Sequence, residues 1–435
     1  MWKFVFFVSC FLLFSCDKKS DNGKRQVKEE KVGVSIGTSN QKPAYWEVNG
    51  KATLLVGGGF VKKFSSPVVL ESDLDSLVNM GCNFVTLSLG EKDFGGEKPF
   101  QVSDTGKYNL DAWNERYWHW FEYFLFQCSE RGIVVQLEIW PEDFTEWGKS
   151  PFNPRNTINF TEEESNLISG FHLQGESPES QKVKAYLEQY VLKLLNITLK
   201  SQNVIFTVGN GNSSIEIWES HWESFIRHNS QDNFHEAFVD GTDFIDVSQL
   251  GKENGEQHYL AILEVKEKLE NVKPINASAI YGGIDLNEWG GIEDGPERFW
   301  KNIFAGTAAV HFHKEPLGAG VNDLARFNIA SLRSLEDKFP IISSQPKNEL
   351  LLERSPNEAF CLSANEHLYA LYYPGCGQVK LDLQGYEGKV AVSWLNLLDN
   401  VWDAEFIMQT EEGKIELRSP CESKWVVVVQ PTVEQ

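Results

Sequence analysis

Basic residues are scarce. The 435-residue chain carries 40 Lys and Arg against 62 Asp and Glu, a formal net charge of −22. Nucleic-acid binding needs a basic footprint along the phosphate backbone, so this balance excludes it. Cysteine is sparse and carries no metal signature: the seven residues form no CxxC or Cys/His spacing, which argues against zinc. No GxSxG elbow occurs. Gly57-Gly58-Gly59 runs into Phe60 without the Rossmann spacing, so no dinucleotide loop is expected. No internal repeat is evident, and no cofactor or metal is expected.

Only one long apolar run exists. Phe4 to Phe14 is almost wholly apolar, follows Lys3, and gives way at Ser15-Cys16 to the polar run Asp17-Lys18-Lys19-Ser20-Asp21-Asn22. That is too short for a membrane span, which needs about 20 apolar residues, and has the pattern of a secretory signal. Leu13-Phe14-Ser15-Cys16 resembles the lipobox of bacterial lipoproteins. The resemblance implies removal of residues 1–15, lipidation of Cys16 and a lipid-anchored protein of the bacterial cell envelope, on the outer membrane. Residues 16–43 read as a flexible tether, and its acidic, lysine-rich start resembles a surface-export signal.

What is abundant is apolar and aromatic material: 41% hydrophobic and 13% aromatic, with 14 Trp. That suffices for a large core. From 44 to 343, short apolar runs alternate with helical patterns. The eight expected strands are Thr53–Val56, Phe84–Leu89, Ile133–Ile139, Val204–Val208, His235–Val239, Phe244–Ser248, Ile275–Tyr281 and Ala308–Phe312. Helices are expected between most of them, with Gly81 and Gly132 as left-handed stops and Asp111 capping the helix at Trp113. Eight βα units of this size predict an α/β (β/α)8 TIM barrel. An open doubly wound sheet is the alternative. From 344 to 435 short alternating strands and turns predict a small antiparallel β-sandwich. The compartment permits a disulfide among Cys361, Cys376 and Cys421, with the pairing left open.

Barrel chemistry sits at the C-terminal strand ends. There the chain offers Trp140, Glu142, Asp143 and Trp147 after strand 3, Asn210 after strand 4, and Asp240 after strand 5. Tyr281, Asp285, Glu288 and Trp289 follow strand 7, and His313 follows strand 8. Carboxylates and aromatics together suit sugars, because rings stack on aromatic faces and hydroxyls bond to acids and amides. Only one of His311 and His313 is expected to face the barrel interior. Asp246, on strand 6, reads as structural.

Several phrases resemble the bacterial cellulase-like glycoside hydrolases related to the DUF4038 group. They are Asn49-Gly50-Lys51, Gly81-Cys82-Asn83-Phe84-Val85, the run Gly132 to Trp140, Pro151-Phe152-Asn153-Pro154, the run Phe244 to Gln249, the run Arg298 to Phe304, and Tyr369-Ala370-Leu371-Tyr372. The resemblance implies a barrel followed by a sandwich of the type named for collagen binding, acting on a polysaccharide or oligosaccharide. It also implies an acid/base Glu after strand 4 and a nucleophilic Glu after strand 7. Here Gly211 follows Asn210, and strand 7 reads Asn276-Ala277-Ser278-Ala279-Ile280-Tyr281 with no acid. Three readings stay open. The chain binds glycan without cutting it; it cuts with relocated carboxylates, drawn from Glu142 and Asp143, Asp240, and Asp285 or Glu288, with Glu142, Asp240 and Asp285 the leading candidates; or an acid such as Glu216 folds back into the site. Trp140, Trp147, Asn210, Tyr281, Trp289 and His313 are the candidate sugar contacts. A scaffold role in glycan uptake is a further alternative.

Overall fold

The computed structural model describes residues 33–59, 66–90, 96–140, 144, 146–168, 177–208, 216–230, 237–248, 250, 255–283, 290–364, 367–421 and 423–432. Residues 33–435 form one compact unit.

Eight parallel strands make the barrel: β1 (Leu55–Gly58), β2 (Phe84–Ser88), β3 (Val134–Glu138), β4 (Val204–Thr207), β5 (Phe238–Val239), β6 (Ile245–Asp246), β7 (Ile275–Ile280) and β8 (Ala309–Phe312). They pair in sequence from β5 back to β1, and β1 pairs with β8, which runs on through β7 to β6. The β8–β1 ladder matches Ala309 with Leu55 and Phe312 with Gly58. All eight overlap the strands expected from the sequence. The open doubly wound alternative fails on this order, since the first strand pairs with the last.

The longer helices among the described residues are α1 (Pro67–Asn79), α2 (Glu115–Glu130), α3 (Pro178–Ser201), α4 (Glu216–Ser230), α5 (Gly255–Lys268), α6 (Asp294–Phe304) and α7 (Asp323–Glu336). Local chemistry sets their ends. Ser66 and Ser177 cap α1 and α3, each followed by proline, whose missing N–H costs nothing at a first helical position. Gly81 and Gly132 adopt φ of +90° and +72°, as expected of residues that stop helices α1 and α2. Asp111 is not a cap: it lies in the strand Tyr108–Trp113, and Asn114 caps α2 through the Arg116 amide. That strand and Phe100–Val102 form a hairpin between β2 and α2 that the sequence pattern did not reveal.

No helix separates β5 from β6. Residues 240–244 connect them directly, closed by Gly241 N–H to Phe244 O and Asp243 N–H to Val239 O, both 2.9 Å. Below the barrel, Ile36–Thr38, Trp46–Val48 and Lys51–Thr53 form an antiparallel meander. Its Asn49-Gly50 turn has φ of +50° and +77°, the signature of a tight hairpin turn.

The three glycines after Val56 have a steric reason. A Cβ on Gly57 would sit 1.9 Å from the Phe84 carbonyl, and one on Gly58 would sit 2.3 Å from the Gly320 carbonyl. Side chains there would push β1 away from its neighbours.

The C-terminal part is a β-sandwich. The larger sheet includes Phe360–Ser363, Tyr369–Tyr373, Trp425–Pro431 and Lys389–Asn396; the smaller holds Leu351–Leu352, Gln378–Asp382 and Lys414–Arg418. Both faces of the larger sheet are buried, and strand alternation divides them. Leu371, Tyr373, Val427 and Val429 face the sandwich core. Ala370, Tyr372, Val426 and Val428 join the barrel core. Tyr372 stacks on Trp300 of α6 at 5.9 Å, and Phe360 meets Tyr259 of α5 at 4.8 Å. Cys376 and Cys421 form a disulfide, while Cys82, Cys128 and Cys361 are buried thiols.

Candidate active site at the barrel mouth

Barrel strands β3, β6 and β7 turn polar residues into the interior. Gln136 lies on β3, Asp246 on β6, and Asn276 and Ser278 on β7, and they meet across the barrel. The buried Trp46 indole N–H, from the meander below, donates to Asn276 Oδ1 at 2.9 Å. Asn276 Nδ2 donates to Gln136 Oε1 at 2.9 Å. Gln136 Nε2 donates to Asp246 Oδ2 at 2.6 Å and to Thr207 Oγ1 of β4 at 2.8 Å. This chain of donors runs up the barrel and ends on a carboxylate. It also fixes both amide orientations, because each oxygen and each NH2 has a defined partner.

Asp246 takes two more side-chain or backbone donors at Oδ1 and one more at Oδ2. The Ser248 hydroxyl and amide bond to Oδ1 at 2.5 and 2.9 Å, and the Ser278 hydroxyl bonds to Oδ2. Four donors fill the acceptor sites of an ionised carboxylate. Ser248 is held in turn by the Ala279 amide at 2.8 Å.

Asp240 lies beside it at the β5–β6 seam. Its Oδ1 accepts from the Asp246 amide at 2.9 Å and the Gly241 amide at 2.8 Å. Burial, and next the charge of Asp246, push its carboxyl up to about 8, although the two amide bonds act the other way and Glu219 of α4 adds a smaller upward push. Burial and the neighbouring Asp246 thus favour the protonated form of the Asp240 carboxyl.

Above this floor, the Tyr281 and His313 rings lie 4.7 Å apart. Burial raises the Tyr281 phenol, and the charges of Asp246 and Glu138 raise it further. Glu138 therefore faces the same space as Asp246, as its two-residue spacing from Gln136 requires. Burial lowers His313 to about 4 and His311 to about 3; Lys314 adds to the first shift and His313 to the second. The expectation that only one of these histidines faces inward does not hold. Residues two apart on a strand share a face, and the two rings are close enough to influence each other.

The sequence candidates fare differently. Asp240, Tyr281 and His313 each lie just past a strand end, of β5, β7 and β8, and Tyr281 and His313 are in ring contact. Trp140 does not: it is 1% exposed, packed against Trp222 at 4.9 Å and Tyr190 at 5.8 Å, and offers no face to a sugar. It belongs to the core because α3 and α4 close over the end of β3. Trp147 is half-buried against that core, with its carbonyl accepting from Asn153 at 2.8 Å. Glu142, Asp285, Asn210, Trp289 and Cys16 lie outside the described residues, as do Asp143, Gly211 and Glu288. Glu216 opens α4. Asp246, Glu138, Gln136 and Asn276 were not among the site candidates. The signal for them was present: polar residues two apart in apolar strands, as in Gln136/Glu138 and Asn276/Ser278.

A separate open cleft of about 570 Å³ lies on the flank of the barrel, between Ser76 and Asn79 of α1, Arg326 and Phe327 of α7, and Asp399-Asn400 of the sandwich. It holds one carboxylate and lies away from the strand ends.

No family model matches the chain, and no curated protein matches it in sequence. Solved structures do match in fold. A family 5 glycoside hydrolase from Bacteroides vulgatus superposes with a TM-score of 0.62 at 14% identity, over 91% of this chain and 93% of that one. A second glycoside hydrolase gives 0.62 at 12% identity, over 93% and 98%. A family 27 β-L-arabinopyranosidase from Geobacillus stearothermophilus gives 0.50 at 8%, over 88% and 97%. In fold, the chain is glycoside hydrolase-like along nearly its whole length.

Proposed function

We propose that this protein is a lipid-anchored member of the cellulase-like glycoside hydrolases that acts on an extracellular polysaccharide or oligosaccharide at the mouth of its barrel. The observation that carries the reading is the polar floor: a fixed carboxylate, Asp246, with Asp240 beside it, at the strand ends where barrel enzymes do their chemistry. Tyr281 and His313 supply an aromatic and polar wall. Glu142, Asp285, Asn210, Trp147 and Trp289 are proposed to complete the rim. Anchoring through Cys16 would hold the protein in the outer membrane, facing large glycans that cannot enter the cell.

Binding without turnover is the second reading. It is favoured by the departure from the family pattern, with Gly211 after Asn210 and no acid on β7. One screen separates the two. The full-length protein and a Glu142→Gln/Asp240→Asn double variant are tested on a glycan array and for release of reducing ends from polysaccharides. Hydrolysis predicts product from the parent and little from the variant. Retained binding with no product favours the binding role, and neither binding nor product would defeat the glycan reading itself. Palmitate labelling that persists in Cys16→Ser would overturn the anchor.

A further inference from the structure

The proposed reading leaves open which groups move protons. We propose that the working carboxyl pair lies at the seam between β5 and β6, with Asp240, just past the end of β5, as the proton donor and Asp246, the last residue of β6, as a fixed anion. This rests on the glycan-acting reading and specifies its chemistry.

The geometry divides the two roles. Asp246 has all four acceptor positions occupied by Gln136, Ser278 and two donors of Ser248. A carboxylate so held cannot swing to attack a sugar, but its negative charge is fixed beside the mouth. Asp240 is the reverse. Its Oδ1 takes both backbone amides, and Oδ2 has no hydrogen-bond partner among the described residues. In a neutral carboxyl that arrangement leaves Oδ2 to carry the proton. The charged groups acting on Asp240 are Asp246 and Glu219, both negative, and both favour its protonated form.

The step balances with water as the only co-reactant. Asp240 passes its proton to the glycosidic oxygen as the bond to the anomeric carbon breaks, and the bonding electrons leave with that oxygen. Asp246 stabilises the positive charge developing on the sugar. A water oxygen bonds the anomeric carbon, and one water proton returns to Asp240. One glycosidic bond is lost and one water consumed.

Two measurements on the full-length protein test this. The first is a carbon-13 NMR titration of the protein labelled at aspartate Cγ. One aspartate should titrate near pH 8, vanish in Asp240→Asn and move toward the ordinary range in Asp246→Asn. Asparagine keeps the Oδ1 acceptor for both amides, and the parent titration needs no variant. The second compares Asp240→Asn on unactivated polysaccharides and on 2,4-dinitrophenyl glycosides, whose leaving group needs no proton. General-acid loss should cost about 10²–10⁴-fold on the former and far less on the latter. If all aspartates titrate near pH 4, or if Asp240→Asn cleaves both substrate types as the parent does, the assignment is wrong while the glycan reading stands. If the parent binds glycan but releases no sugar, the pair is not catalytic. If it neither binds nor cleaves, both fall.

Discussion

Trp46 and Asn276, 230 residues apart, are joined inside the barrel by a 2.9 Å hydrogen bond from the indole N–H to the amide oxygen. The bond links the N-terminal meander to β7 and begins the chain of donors that ends on Asp246. Because every member is buried or part-buried, removing one orphans its neighbours. Asn276→Leu should leave the Trp46 N–H and the Gln136 carbonyl unpaired, at about 1–3 kcal/mol for each buried orphan. Asn276→Asp keeps the acceptor for Trp46 and should cost less unless its charge is retained. Urea denaturation measures both, and a leucine variant as stable as the parent would show that the relay contributes nothing.

The buried titratable groups set a pH profile. His258 is lowered to about 4 by burial first and then Arg298, and His311 and His313 are lowered to about 3 and 4. Between those values and 6.5 the folded chain binds fewer protons than the unfolded one, so stability falls as pH drops through that window. Asp240 has the opposite sign. Its folded value lies above its unfolded one, so the folded chain holds the extra proton between about 4 and 8, and stability falls as pH rises there. Three histidines outweigh one aspartate below 6.5, and the Asp240 effect persists above it. The urea midpoint should therefore peak near pH 6.5 and decline gently to pH 8. In Asp240→Asn the alkaline decline should disappear. A parent midpoint that climbs steadily from 6.5 to 8 contradicts this assignment.

The barrel was legible because its strands are short apolar runs set between amphipathic helices, and Gly81 and Gly132 mark real stops. The direct β5–β6 link was hidden, because a five-residue connection looks like any loop. The sandwich strands were legible too, but not their double burial, since Tyr372 and Val428 cover the barrel while Tyr373 and Val427 cover the sandwich. The site was read less well. The strand-end rule points to residues after the strands, whereas Gln136, Asp246 and Asn276 lie within them. Asp246 looked structural from its strand position, and its contacts across the barrel exist only once the sheet closes. Trp140 looked like a sugar platform because the sequence does not show α3 and α4 folding over it.

The Cys376–Cys421 disulfide closes a loop of 45 residues within the sandwich. Chain-entropy arithmetic puts the stabilisation from such a loop at about 4 kcal/mol, as an upper expectation. Denaturation with and without a thiol reductant should show a loss of that order or less, and Cys376→Ser/Cys421→Ser should reproduce it. Cys361→Ser, at a buried thiol outside the bridge, should not change sensitivity to reductant. Equal reductant sensitivity in the double variant and the parent would rule out this pairing.

The barrel and sandwich are tied by charge as well as by aromatic packing. Arg354 bonds to Glu256, in the first turn of α5, at 2.5 Å, and both side chains are about one-seventh exposed. The other Glu256 oxygen accepts the Asn357 amide at 2.7 Å, while Arg354 Nε donates to the Ala359 carbonyl at 2.5 Å and its guanidinium lies 5.3 Å from the Phe360 ring centre. A surface ion pair is worth at most about 1 kcal/mol, whereas breaking a buried one leaves an uncompensated charge and costs about 3–5 kcal/mol. This half-buried pair should fall between those limits. Arg354→Met keeps much of the apolar stem and strands Glu256, so it should cost about 2–4 kcal/mol by that bracketing. Glu256→Gln keeps one of the two acceptor oxygens and removes the charge that would be stranded, so it should cost less than Arg354→Met. The Arg354→Met/Glu256→Met double variant should be more stable than the sum of its singles implies, because neither charge is then left alone. A double-mutant cycle by urea denaturation gives the coupling directly, and a coupling within about 0.3–0.5 kcal/mol of zero would mean that this ion pair does not help hold the sandwich to the barrel.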